Sequence, residues 1–314
     1  MRILGAALGL ALLAWFVRNT DRVALERALA GRVSLIPLCV LVELIRVGAE
    51  TQATRSVLGE ARKLVSFRRM YAVHLVGFAF SAVLPAPRPI AEATKASLIA
   101  KRVGLARCVN VGTVNQAATL LAISVACVGC ALLTSRCPSL QRLLFANAVF
   151  LAVSGGGLLG LVRSPRLHAW LAKRWPKRAE SFASFGREAA RAPVLAPTAW
   201  LFASVCLQAI LFGFLLRGTS SAPFIVGSAT AEGAHMVSAS IGVLVPGQLG
   251  IRELAFAEVA DGLGTNIATA GALSLLPRAA QLFVAGIGFA TLAFLRDRRI
   301  EGSDERSDEV KSPP

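Results

Sequence analysis

Negative charge is what this chain has least of. Its 314 residues include 18 Asp and Glu against 34 Lys and Arg, and charged residues of both signs together reach only 17%. With a hydrophobic share of 55% and a mean hydropathy of +0.61, too little polar surface remains to cover a soluble core. Six cysteines make no disulfide framework. Cys127 and Cys130 have CxxC spacing, but no second pair follows and the three histidines lie far off in sequence, so no metal site is expected. P-loop, HExxH and GxSxG motifs are absent, which leaves no cofactor, no ATP-driven step and no catalytic centre to assign. The formal charge of +16 comes without a basic stripe interleaved with aromatics, so nucleic acid is not an expected partner.

Apolar runs are what the chain has in abundance. Crossing about 30 Å of hydrocarbon takes roughly 20 apolar residues. Runs approaching that length, some of them short of it, occupy 3–17, 33–58, 70–84, 107–133, 143–162, 194–216, 223–245 and 268–295. They predict an all-α polytopic membrane protein of about eight apolar helices, with 1–295 as the transmembrane domain and 296–314 as a disordered cytoplasmic tail. Asn19, Thr20 and Asp21 follow the first run in place of a small-x-small cleavage site, so that run is expected to be retained as a span.

One short pattern occurs twice. The stretch 84–105 has Pro85, then Glu92 seven residues on, Lys95 three after that, and a close at Gly104; the stretch 245–264 has Pro246, Glu253 and Gly264 at nearly the same offsets. Each follows an apolar run and is too polar to face lipid. Irregular, charged backbone at membrane depth is tolerated only where protein or water surrounds it. Both stretches are therefore expected to line one internal site. Pro85, Pro87 and Pro89 stop the first helix and allow another to restart, and Gly247 and Gly250 permit close backbone approach in the second stretch. The result is two proline-broken hairpins, 70–105 and 223–264.

Other ionisable residues fall inside apolar runs. Glu43, Arg46 and Glu50 share one helical stripe, and Glu232 and His235 sit three apart in a later run; such groups either neutralise one another or face a substrate path. Asn110, Asn115 and Gln116 are expected to hydrogen-bond between helices. The segment 163–191 interleaves basic residues with Leu167, Trp170, Leu171, Phe182 and Phe185, the pattern of a cytoplasmic amphipathic stretch on anionic lipid. It would join half repeats of roughly 33–162 and 194–295. Placing 59–69, 163–191 and 296–314 inside puts both termini in the cytoplasm and makes the two hairpins inverted copies, as in alternating-access carriers. The arginines of 18–32 then fall outside, against the positive-inside rule.

At PGQLGIRE (246–253), with Gly264 and Arg278 beyond it, the chain resembles the flippase-like transmembrane region of bacterial lysylphosphatidylglycerol synthases and their stand-alone relatives. Gln248 stands where those proteins commonly carry glycine. Their earlier motif is matched in outline by Pro85, Glu92 and Lys95, with Pro89-Ile90-Ala91 in place of the usual glycine, and Asn115 and Gln116 occupy positions where many relatives carry arginine or a glutamate-arginine pair. The resemblance implies a bacterial cell (inner) membrane protein. In the two-domain synthases this region moves aminoacylated lipid between leaflets, and a separate soluble domain transfers the amino acid from tRNA. The residues after 295 leave no room for such a domain, so synthase activity is not expected.

The expected function is translocation of a phospholipid, glycolipid or polyprenyl-phosphate between leaflets. Arg88, Lys95, Arg252 and Arg278 would compensate a phosphate, and Glu92 and Glu253 would pair with those bases or meet a cationic headgroup. Glu43, Glu50, Glu232 and His235 are candidates for ion coupling. The alternative is a non-transporting membrane partner or scaffold for a lipid-modifying or glycosyl-transferring enzyme, in which the same charges merely neutralise each other.

Overall fold

The computed structural model describes the backbone of residues 2–83, 87–134, 136–176, 185–186, 188–190, 192–242, 245, 248 and 250–309. Side chains are described within 11–82, 90–176, 185–242 and 245–295 wherever the backbone is. Pro85, Pro246, Gly247 and the Arg88 side chain lie outside the described residues.

Every regular element among the described residues is helical. In chain order they are α1 (Arg2–Asn19), α2 (Arg22–Ala30), α3 (Ile36–Leu58), α4 (Phe67–Val83), α5 (Pro87–Val103), α6 (Leu105–Leu133), α7 (Pro138–Arg163), α8 (Pro165–Arg174), α9 (Leu195–Leu216), α10 (Phe224–Ile241), α11 (Ile251–Glu258) and α12 (Ile267–Glu309). The backbone of α12 is thus described well into the segment read from sequence as a tail.

The helix starts follow local chemistry. Asp21 caps α2 by accepting from Val23 N at 2.9 Å and Ala24 N at 3.2 Å, and Ser164 caps α8 through Leu167 N at 3.3 Å. Pro37, Pro138 and Pro165 occupy first turns, where a missing N–H leaves no bond unmade.

Among the described residues, four helical stretches are long and apolar enough to cross a membrane: α6, α7, α9 and Ile267–Leu295 of α12. A fifth is added if α2 and the following helical stretch Val33–Leu64, bent by 44°, count as one span. The sequence reading has about eight apolar helices, some of them short of a span, and the others fall outside this set for physical reasons. At 17 residues, α4 reaches about 25 Å at 1.5 Å per residue. Buried Glu43 and half-buried Arg46 and Glu50 interrupt α3, and Glu232 and His235 interrupt the 18 residues of α10.

The core forms around two seams. In one, α6, α7, α9 and α10 bury Leu144, Leu211, Phe212 and Leu215, with Phe256 of α11 and Leu273 of α12 joining them. Cys127 and Cys130 belong to this cluster as small apolar side chains. In the other, Met70, Val73, Ile99, Val111 and Val114 hold α4 and α5 to α6.

The last helix packs against both α11 and α4. Phe256 and Glu253 of α11 face its first turns, and α4 packs farther along, where Val284 is buried against Val47 and Leu75 and Phe80 meets Phe289 edge-on at 5.5 Å. Contact is closest at Gly288, where a Cβ would lie 2.3 Å from the carbonyl oxygen of Leu75 and 2.8 Å from Ala79 Cβ. Backbone cannot give way as a side-chain tip can. Gly288→Ala is expected to force α4 from α12 at a cost of about 1–3 kcal/mol, read as a lower melting temperature of the detergent-purified chain. An unchanged melt would show that this seam yields freely.

Arg32 resolves part of the charge conflict noted above. It is buried and donates to Leu215 O at 3.0 Å, Ala28 O at 2.9 Å and the Thr219 hydroxyl. Its charge ties two helix ends together, so it does not act as a free loop cation.

Candidate functional site

The second break builds the site. Helix α10 ends at Gly242, and Val245 N and Gln248 N each close a turn, onto Gly242 O and Val245 O respectively, at 2.9 Å. Gln248 then adopts φ +55 and Gly250 φ +77, two left-handed residues in quick succession before α11 starts at Ile251. Glycine enters this region without a Cβ penalty, whereas glutamine is strained there. What the glutamine gains is visible in its contacts: its Oε1 accepts from Arg252 Nη2 at 3.1 Å and its carbonyl from Arg278 Nη2 at 3.3 Å.

The turn places Arg252 and Glu253 in the interior, 6% and 0% exposed. Glu253 Oε1 accepts from Arg278 Nη1 at 2.8 Å and from Ser274 Oγ at 3.3 Å, both on α12. Among the described residues its Oε2 is buried with no hydrogen-bond partner, as is Arg252 Nε. Among the described residues Arg252 thus has an amide partner and no bonded carboxylate. Gly264, at φ +64, anchors the far end of this motif: Ser221 N donates to its carbonyl at 3.0 Å, and a Cβ there would meet Ser221 Oγ at 2.4 Å.

A second buried cluster adjoins it. Glu43 of α3 takes Arg46 Nη1 on both oxygens, at 3.1 and 3.2 Å, and Gln281 Nε2 of α12 at 2.8 Å. Arg46 reaches α9 as well, donating to Ser204 Oγ at 3.2 Å and to Gln208 Oε1. Three helices are locked by one ion pair. Glu50 bears on Arg46 electrostatically from the next turns of α3. Glu232 of α10 is within electrostatic reach of both clusters, of Arg46 and Glu43 in one and of Arg252 in the other.

The first break supplies a separate group. On α5, Lys95 Nζ donates to Glu92 Oε1, one turn away. Two glycines make room for the pair. A Cβ on Gly77 of α4 would press on Lys95 Cγ at 3.0 Å, and one on Gly112 of α6 on Glu92 Oε2 at 3.2 Å. Glu92 also lines a groove of about 390 Å³ with Ala96, Gly112, Thr113, Gln116 and Leu158. Asn110 and Asn115 are buried, each with its Oδ1 unpartnered.

The sequence-predicted residues therefore fall into two sets. Arg252, Glu253 and Arg278 are brought together, and Glu43, Glu232 and His235 gather beside them. Among the described residues no hydrogen bond or ion pair joins Glu92 or Lys95 to that set. Gln281, Gln208 and Ser204, which no motif marked, and Gln248, marked only as a departure from glycine, form the hydrogen-bonding frame of the buried charges.

Apolar helices of spanning length enclosing a buried ion-pair network define a multi-pass membrane protein. The chain belongs to the family described as the lysylphosphatidylglycerol synthase TM region, whose profile matches residues 2–288, nearly its whole length. Comparison with curated proteins and with solved structures returned no match.

Proposed function

We propose that the protein is a lipid translocator of the bacterial inner membrane, with both termini cytoplasmic, and that it acts as a carrier with no catalytic centre of its own. Its substrate is a lipid with an anionic phosphate headgroup, and membrane lipids are its partners. In this reading the two broken hairpins, α4–α5 and α10–α11, are inverted copies that open to opposite faces and dock on α12. A headgroup would pass between the Glu92–Lys95 pair and the Arg252–Glu253–Arg278 set.

The observation that carries the reading is Arg252. It is a buried guanidinium held by one amide oxygen at 3.1 Å, with Nε unpartnered, while Arg46 and Arg278 each have a carboxylate. Ionisable groups in membrane helices are costly and usually functional. A guanidinium with spare donors suits a phosphate, which it meets bidentately.

The competing reading is a non-transporting partner of a separately encoded enzyme, supported by the neutralised pairs Glu43–Arg46 and Glu253–Arg278. Leaflet exchange of fluorescent lipids in vesicles containing the purified chain separates the two. The carrier reading expects exchange of at least one of three probes: an anionic phospholipid, a zwitterionic phospholipid and a polyprenyl-phosphate. An exchange rate equal to protein-free vesicles for all three would leave the partner reading standing.

A further inference from the structure

Three glutamates are buried in the helical core beside the proposed site, and they are not equivalent. Glu43 accepts three hydrogen bonds, from Arg46 and Gln281, and Glu253 accepts from Arg278 and Ser274. Among the described residues Glu232, 3% exposed, accepts none: its Oε2 is buried without a partner, and no ion pair reaches it. One turn on, His235 Nδ1 is likewise buried and unpartnered, its ring 5.8 Å from that of Phe212. The surroundings of Glu232 are mixed. Arg46 and Glu43 act on it from α3 and Arg252 from α11, while Cys127 and Cys130 of α6 and Cys206 of α9 feel its charge; Arg278 of α12 acts on His235. From α7 come Leu140 and Leu144, packed at Gly233.

Burying a carboxylate without a hydrogen-bonded partner is expensive, so its charge must be balanced through space or removed by a proton. Among the described residues, the nearby cation lacking a bonded carboxylate is Arg252. That cation can be balanced by Glu232 or by an incoming phosphate, and both anions together would overfill a water-poor site.

We infer that Glu232 is the proton-exchanging group of the carrier: it takes up one proton as an anionic headgroup reaches Arg252 and releases it when the headgroup leaves, so lipid movement is coupled to proton movement. The proton comes from water on the face then open and departs to water on the face that opens next. No bond other than O–H at the carboxyl is made or broken. The inference rests on the carrier reading and adds its energy source.

The test is binding of phosphatidylglycerol, whose phosphate charge is fixed near neutrality, to the full chain in detergent over acid to alkaline pH. With one linked proton, affinity is expected to fall about tenfold per pH unit on the alkaline side. Glu232→Gln should bind with no such slope, and Glu232→Asp should keep it. Wild type alone gives a second readout that does not depend on variant folding: in weakly buffered solution, about one proton should be taken up per lipid bound. A flat wild-type profile without proton uptake, or an unchanged slope in Glu232→Gln, overturns the inference and leaves the carrier standing. No binding at any pH, together with no leaflet exchange, overturns the carrier reading itself.

Discussion

Arg278→Ala is expected to lower the folded yield and melting temperature of the purified chain severely. The substitution strands Glu253, which is fully buried, already has Oε2 without a partner, and would keep only Ser274 Oγ at 3.3 Å. Removing one partner of a buried pair is worth about 3–5 kcal/mol, because the remaining charge is left uncompensated. The same reasoning makes the loss reversible. Glu253→Gln in the Arg278→Gln background removes both charges, keeps shape and hydrogen-bonding capacity, and should recover most of the stability. Exchange activity should not recover with it if the pair also serves a headgroup. Equal stability of Arg278→Ala and the double variant would mean that Glu253 is not ionised in the folded protein.

Glu43→Ala is expected to be comparably damaging. Glu43 is the acceptor on which Arg46 and Gln281 converge, joining α3 to α12, while Arg46 joins α3 to α9 through Ser204 and Gln208. Its removal leaves a half-buried arginine with neutral partners only, again about 3–5 kcal/mol. Gln281→Ala loses a single bond to a charged group, about 1.5–3 kcal/mol. Thermal melts of both should therefore rank Glu43→Ala below Gln281→Ala; the reverse order would place the junction at α12 in place of the ion pair.

Several features of this arrangement were legible in the sequence. The offset shared by Pro85–Glu92 and Pro246–Glu253 marked two places where a helix restarts, and α5 and α11 do start near them, at Pro87 and Ile251. Arg278 stood out as a cation inside an apolar run, and Glu43 and Arg46 as an i, i+3 pair. Partner choice was not legible, since Glu253 could equally have met Arg252 in sequence; only the docking of α11 on α12 selects Arg278. Nor could spacing reveal the amides, although Gln208 and Gln281 are polar residues within apolar runs and Gln281 lies three positions past Arg278. Hydropathy marked more apolar runs than the described helices of spanning length and composition, because α4 has only 17 residues and ionisable side chains interrupt α3 and α10. Gln248 was visible as a departure from a glycine position, but its left-handed backbone and its two accepted bonds required the fold.

The most direct measurement is leaflet exchange of the transported probe by Arg252→Gln beside wild type, with both shown to melt alike. Arg252 gives up a bond to an amide, and the Glu232 charge it balances through space can instead be removed by a proton, so the variant should stay folded, and the account expects it to lose most of its exchange. A folded Arg252→Gln that exchanges lipid at the wild-type rate would contradict a headgroup site at this residue.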